Sequence, residues 1–225
     1  MSVTAVPRRR AATVLKINEI FHSIQGESRH AGRPCVFIRL TGCNLRCTWC
    51  DTAYAFEEGS DLPVAAVLER IAPYGTRYVL ITGGEPLAQE GVHDLAGELC
   101  DGGYEVAIET GGSLDLSPID RRVMVVMDLK CPGSGMSQKN RWENLDLLKP
   151  SDEVKFVVAD RSDYEWAREV VVRRRLGGRF GVLFSPVHGV LHPRPLAEWV
   201  LADRLPVRVQ VQLHKYIWPS DLRGV

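Results

Sequence analysis

Cys43, Cys47 and Cys50 form a C-x3-C-x2-C loop, Cys43-Asn44-Leu45-Arg46-Cys47-Thr48-Trp49-Cys50. Thiolates on so short a loop can reach neighbouring irons of one [4Fe–4S] cubane. Three of them leave one iron without a protein ligand, unlike the four-cysteine sites of electron carriers. An open iron is a place where a small chelating molecule can bind and receive an electron. The competing chemistry is a zinc knuckle, or a redox dithiol made of Cys47 and Cys50. Structural zinc takes four ligands, usually from two C-x2-C pairs, and the sequence holds no second pair. Among the remaining cysteines, Cys35 opens the apolar run that leads into the loop. Six residues of strand span roughly 20 Å, which places Cys35 at the far end, in the core. Cys100, at a helix end, is also read as core. Cys131 follows Lys130 and is the one candidate for a fourth ligand, a role that the complete loop does not require.

Four more polar segments close apolar runs in the same way: Thr82-Gly83-Gly84-Glu85-Pro86, Glu109-Thr110-Gly111-Gly112, Asp128-Leu129-Lys130 and Ser185-Pro186. The runs that must carry them read as strands over Cys35–Leu40, Tyr78–Thr82, Glu105–Glu109, Val123–Asp128, Glu153–Val158, Gly181–Phe184 and Arg208–Leu213. Helical patterns lie between them, over Val64–Ala72, Val92–Cys100, Trp142–Leu148, Ser162–Arg175 and Pro195–Ala202. Near-continuous apolar runs such as Tyr78–Ile81 and Val123–Val126 are expected where both sheet faces are covered. Strand and helix in alternation argue for a parallel α/β domain, either an open doubly wound sheet or a partial barrel. In both, ligands bind where the carboxyl ends of the parallel strands emerge. Five polar clusters on that one rim define one site. Lys16–Ser23 alternates imperfectly and reads as a strand, or half of a hairpin, added before the barrel.

The 225 residues are 45% hydrophobic and 25% charged, with 28 Lys and Arg against 28 Asp and Glu. A nucleic-acid binder usually carries a basic excess, so a small-molecule substrate is expected and no direct nucleic-acid contact. No apolar run is long enough to span a bilayer. Arg8, Arg9 and Arg10 are followed by no apolar stretch, which excludes a secretory signal. Residues 1–13 are expected to be a disordered tail before a single domain over 14–225. The chain reads as cytoplasmic, where six cysteines are ligands, reactive thiols or core residues rather than disulfides.

The cysteine loop resembles the signature of the radical S-adenosylmethionine superfamily, and Thr82–Pro86 resembles its second signature. Gly-Gly-Glu-Pro alone is only a tight turn before a helix; downstream of the cysteine loop it is specific. The resemblance implies a partial, abbreviated (β/α) barrel and a [4Fe–4S] cluster whose open iron holds S-adenosylmethionine. Homolysis of that cofactor gives methionine and a 5′-deoxyadenosyl radical, so the hard chemistry is the cofactor's. Around these motifs lie Phe21-His22-Ser23-Ile24-Gln25-Gly26-Glu27-Ser28, Cys50-Asp51-Thr52, Gln212-Leu213-His214-Lys215 and Arg223-Gly224-Val225. The set resembles the 7-carboxy-7-deazaguanine synthase family along essentially the whole chain.

That resemblance implies conversion of 6-carboxy-5,6,7,8-tetrahydropterin to 7-carboxy-7-deazaguanine with loss of ammonia, assisted by Mg2+, in a homodimer supplied with electrons by flavodoxin or ferredoxin. It implies substrate contacts at Ile24, Gln25, Gly26, Arg39, Thr82 and the carboxylate of Val225. Arg39 offers a planar fork suited to the substrate carboxylate, or else an ion pair on the barrel wall. Thr52 corresponds to a Mg2+ ligand, and magnesium prefers oxygen donors; a turn hydroxyl is the plainer reading. Cofactor contacts are implied at Trp49, Cys50, Asp51 and Gly84. By position only, they extend to Asp128, Leu129, Lys130, Ser185, Pro186, Val187 and His188. Glu109 is read either as a ribose contact or as the partner of a neighbouring lysine. The alternatives are a glycyl-radical-enzyme activase, or a zinc or iron–sulfur sensor that performs no catalysis.

Overall fold

The computed structural model describes residues 13–225; apart from Thr13, the expected tail lies outside the described residues. Nine strands form one open sheet in the order β3-β1-β2-β4-β5-β6-β7-β8-β9. They are β1 (Val14–Ile24), β2 (Pro34–Leu40), β3 (Ser60–Pro63), β4 (Tyr78–Gly83), β5 (Glu105–Thr110), β6 (Met124–Asp128), β7 (Glu153–Val158), β8 (Gly181–Pro186) and β9 (Arg208–Val209). From β2 to β9 every neighbouring pair is parallel, whereas β1 runs antiparallel to both β2 and β3. The sheet curls into a partial barrel without closing. Helices α1 (Val64–Ile71), α2 (Val92–Asp101), α3 (Arg161–Arg173) and α4 (Pro193–Asp203) cover its outside, and a short α5 (His214–Ile217) follows β9.

Side chains alternate across each strand, and the two faces have different compositions. The outward set includes Val36, Ile38 and Leu40 of β2, Val79 and Ile81 of β4, and Phe156 and Phe184 further along. These pack with Val67 and Ile71 of α1, Leu95 and Leu99 of α2, Tyr164 of α3 and Leu196 of α4 in the main core. The inward set has a small apolar layer of Phe21, Cys35, Phe37, Tyr78, Leu80 and Ala107. Above it the same parity brings Arg39 opposite Thr82, Glu109 opposite Val126, Asp128 opposite Lys155 and Val157 opposite Ser185. The lumen therefore turns polar at the carboxyl ends of the strands.

Two expected elements differ. Trp142–Leu148 is a 3-10 turn over Trp142–Asp146 instead of an α-helix. Asn144 at its centre donates through Nδ2 to Leu114 O (2.7 Å) and Gly112 O (3.1 Å) and accepts from Leu116 N, pinning the segment to a neighbouring loop. β9 stops after Val209, because Gln210 turns to clasp the segment that follows β1. Gln210 Oε1 accepts from Ser28 N (2.7 Å), and Gln210 Nε2 donates to Ser28 O (2.8 Å). This amide bridges the gap between the last strands and the chain beyond β1, where the barrel lacks a strand.

Candidate functional site

The cysteine loop is held by glycines where strand ends crowd. Gly42, at φ +95°, turns the chain out of β2, a left-handed conformation that L side chains resist. Asn44, Arg46 and Thr48 then face outward, while Cys43, Leu45, Cys47 and Trp49 are at least partly buried. Arg46 donates to the carbonyls of Cys43 and Leu45, both at 2.7 Å, and stacks 4.3 Å over Phe56. A Cβ on Gly84 would lie 2.2 Å from Gly42 O, so the second glycine signature is the surface on which the loop rests. Glu85 N donates to Gly42 O (2.8 Å), and the Glu85 carboxylate accepts from Thr110 Oγ1 (2.8 Å), Gly111 N (2.7 Å) and Leu87 N (3.1 Å). Buried Glu85 thus locks the exits of β2, β4 and β5 together.

These exits open into one cavity of about 490 Å³, within the ~300–1,000 Å³ usual for small-ligand sites. Its walls include Cys43, Cys47 and Cys50, with Trp49, Asp51 and Thr52 continuing the loop. Gly84, Asp128 and Lys130 stand beside them; Ser185, Pro186, Val187 and His188 line the β8 end; Gln25, Arg39 and Thr82 line the β1–β4 side. Four sequence-assigned residues are not in the lining. Ile24 pairs with Pro34 at the end of β1. Gly26 sits directly behind His214, whose ring leaves no room for a Cβ. Leu129 is buried in the outer core, its N–H bonded to Lys155 O at 2.9 Å. Val225 ends the segment whose Arg223 stacks 3.6 Å over Tyr54, the ring beside Arg39.

Buried charge lines the cavity. Near the cysteines, Lys130 Nζ lies 2.8 Å from Asp128 Oδ2. On the adjacent strand, in register with Asp128, Lys155 Nζ bridges Glu109 Oε1 (2.8 Å) and Glu27 Oε1 (2.9 Å). Burial is the largest single influence and opposes both ammonium charges, but the anionic neighbours together outweigh it, Asp128 foremost at Lys130 and Glu109 with Glu27 at Lys155, and hold both pKa values above the lysine norm. Burial also pushes the Glu27 carboxyl up, against the pull of Lys155. Arg39 Nε binds Glu19 at 2.7 Å; its terminal amino groups have no hydrogen bond among the described residues. Glu109 has its neighbouring lysine in Lys155. Glu27, Gln212, His214 and Lys215, which lie in segments that carry the resemblance but were given no role, also line the cavity, as does Lys155, which was not singled out. A signal for Lys155 existed: it shares strand parity with Glu153, inside an otherwise apolar run.

The donor set fits the groups that the sequence implies. Three thiols share one wall, and burial raises Cys43 and Cys47 above the ordinary thiol range, so metal ligation must displace their protons. Among the described residues no three His, Cys, Asp or Glu side chains group to hold a single ion; cubane thiolates bond different irons and need no such convergence. Asp128 Oδ1 and Ser185 Oγ are buried without partners among the described residues, and a cofactor bearing amino and hydroxyl groups would satisfy them. Cys131 is buried outside the cavity lining, and burial raises its thiol well above the usual range. At the loop's end, Thr52 offers a hard oxygen of the kind magnesium accepts alongside water and substrate oxygens, with the Asp51 carboxylate hydrogen-bonded to it.

Comparison with known proteins agrees with this geometry. The model of the Radical SAM superfamily matches residues 37–175. A 7-carboxy-7-deazaguanine synthase from Chlorobaculum tepidum is 47% identical over 94% of this chain and 97% of its own. The enzyme of that name from Koribacter versatilis is 44% identical over 94% of this chain and all of its own length. The crystal structure of QueE from Escherichia coli superposes with a TM-score of 0.75 at 25% identity, covering 89% of this chain and 95% of that one. Family membership carries a [4Fe–4S] cluster and S-adenosylmethionine with it. The chain is a member of the Radical SAM superfamily and, within it, of the 7-carboxy-7-deazaguanine synthases.

Proposed function

We propose that this enzyme converts 6-carboxy-5,6,7,8-tetrahydropterin to 7-carboxy-7-deazaguanine with release of ammonia, using Mg2+ as an aid and acting in the cytoplasm as a homodimer. The observation that carries the substrate reading is Arg39, its terminal amino groups unengaged among the described residues, standing beside Thr82 in the same cavity that Cys43, Cys47 and Cys50 line. When bound, the cluster and S-adenosylmethionine supply a carbon radical that abstracts hydrogen from the substrate.

The chain's own residues bind and orient. The unengaged amino groups of Arg39 can form a two-bond fork with the substrate carboxylate, while Glu19 and Tyr54 fix the guanidinium from behind. Thr82 stands beside Arg39 in register and offers a hydroxyl at the same wall. Glu27 and Glu109, bridged by Lys155, offer carboxylate oxygens toward the pterin nitrogens. Thr52 supplies a neutral oxygen to Mg2+, and Asp51 the adjacent negative charge. Lys130 places a cation beside the cysteines, favouring the anionic, ligated form of the thiols. A flavodoxin or ferredoxin is the proposed electron donor.

The test is anaerobic incubation of reconstituted enzyme with carboxytetrahydropterin, S-adenosylmethionine, Mg2+ and reductant, followed by mass detection. The expected result is the deazaguanine and one ammonia per turnover, with S-adenosylmethionine regenerated. A brown, cofactor-cleaving protein that leaves the pterin untouched would refute the substrate assignment while keeping the superfamily.

A further inference from the structure

The segment after β9 is fastened to the cysteine loop through a single carboxylate. Asp51 Oδ2 accepts from Lys215 Nζ (2.9 Å) and from Gln212 Nε2 (3.1 Å), while Asp51 Oδ1 accepts from Thr52 Oγ1 (2.9 Å). The Lys215 side chain is 10% exposed, which is low for a lysine and leaves its ammonium committed to this contact. The same segment is tied at a second point, where Leu213 N donates to Gly26 O at 3.0 Å and His214 packs on Gly26. No residue of Gln212–Lys215 belongs to the cysteine loop, yet the loop's last side chains are oriented by it.

We propose that Lys215, with Gln212, is a positioning residue for the metal site: by holding Asp51 it directs the Thr52 hydroxyl to act as a magnesium ligand. The chemistry follows from the direction of one hydrogen bond. With the Thr52 proton given to Asp51, both oxygen lone pairs are left to face the cavity that Thr52 lines. Donation to a carboxylate also makes that oxygen a better ligand, as outer partners do in metal sites generally. Lys215 balances the charge of Asp51 so that the carboxylate stays beside Thr52 rather than turning to take the metal itself. The inference rests on the reading of Thr52 as the magnesium contact, and it extends that reading to two side chains on a different element.

The test uses the reconstituted holoenzyme and three variants, Lys215→Ala, Lys215→Arg and Gln212→Ala. Mn2+ serves as a spectroscopic stand-in, its binding in the presence of the carboxypterin followed by the loss of free-ion EPR signal. Lys215→Ala should weaken Mn2+ binding and raise the Mg2+ activation constant by about five- to tenfold, the scale of a charge-assisted contact partly open to water. Gln212→Ala should have a smaller effect, and Lys215→Arg should restore most of the affinity. Iron content and the cluster's EPR signal should stay at wild-type values in all three. Unchanged Mn2+ affinity in Lys215→Ala, with wild type showing clear dependence, would overturn the positioning role alone. A wild-type enzyme indifferent to divalent cations would overturn the magnesium reading and this inference with it.

Discussion

Replacing Gly84 with alanine adds one methyl group at the point where the radical-enzyme signatures touch. The added Cβ would lie 2.2 Å from Gly42 O, 2.7 Å from Gly42 C and 2.8 Å from Cys43 Cβ. Ordinary contacts need about 3.5 Å, so something must move by about 1 Å. The obstacle is backbone, and that backbone is fastened: Gly84 N donates to Leu40 O and Glu85 N to Gly42 O. Relief must therefore shift the turn that carries Cys43. Overpacking of this kind costs about 1–3 kcal/mol of stability, and a misplacement near 1 Å costs roughly 100-fold in rate. The control is Gly97→Ala, in the middle of α2 with nothing within 4 Å of the new Cβ. It should gain about 0.5–1 kcal/mol from backbone entropy, seen as a small rise in melting temperature. The assay combines thermal melts, iron and sulfide content after reconstitution, and turnover. Gly84→Ala with wild-type iron content and turnover would refute the argument that this glycine positions the cluster loop.

The remaining predictions concern three side chains. Cys131→Ala should keep full iron content and turnover, since its thiol lies outside the cavity lining and is buried in protonated form, whereas Cys47→Ala should lose both; iron analysis and assay of the pair decide whether three or four cysteines matter. His214 has its pKa lowered to about 4 by burial, with Lys215 adding to the effect. A depressed histidine destabilises the fold as pH falls, because the unfolded chain takes up the proton first. The loss begins near the ordinary histidine value of 6.5 and is complete below about 4. Discounted for partial exposure, it amounts to about 1–2 kcal/mol. His214→Gln should flatten the fall in melting temperature between those limits, and a slope identical to wild type would remove His214 as its source.

The seven parallel strands were legible because each is an apolar run closed by a turn or polar segment, a pattern that only a sheet covered by helices explains. Their carboxyl-end motifs converge for the same reason. The strand β3 was not legible: Ser60-Asp61-Leu62-Pro63 has no apolar period and owes its form to pairing with Val14–Ile17. Residues 142–148 carry a plausible helical pattern, but one asparagine binding three backbone groups outweighs helix propensity. The site was half legible. Cysteines and glycines announce themselves by spacing, whereas Lys215 and Gln212 reach Asp51 from 161 to 164 residues away in sequence, and no local pattern encodes that distance.

The inner face of the sheet separates what the fold needs from what the chemistry needs. Its lower layer, with Phe21 stacked 4.7 Å from Phe37 above Tyr78 and Cys35, is the kind of packing that stabilises a barrel. One step toward the carboxyl ends, the same parity carries Lys155 between Glu27 and Glu109. Burying such a trio gives little net stability, since desolvation consumes most of what the ion pairs return, and well-packed apolar residues often do as well or better. Removing one member is costly, because it strands a buried charge. The fold alone would accept a leucine at position 155 if both glutamates were also replaced. A charged triad kept in the lumen therefore argues for work on a ligand.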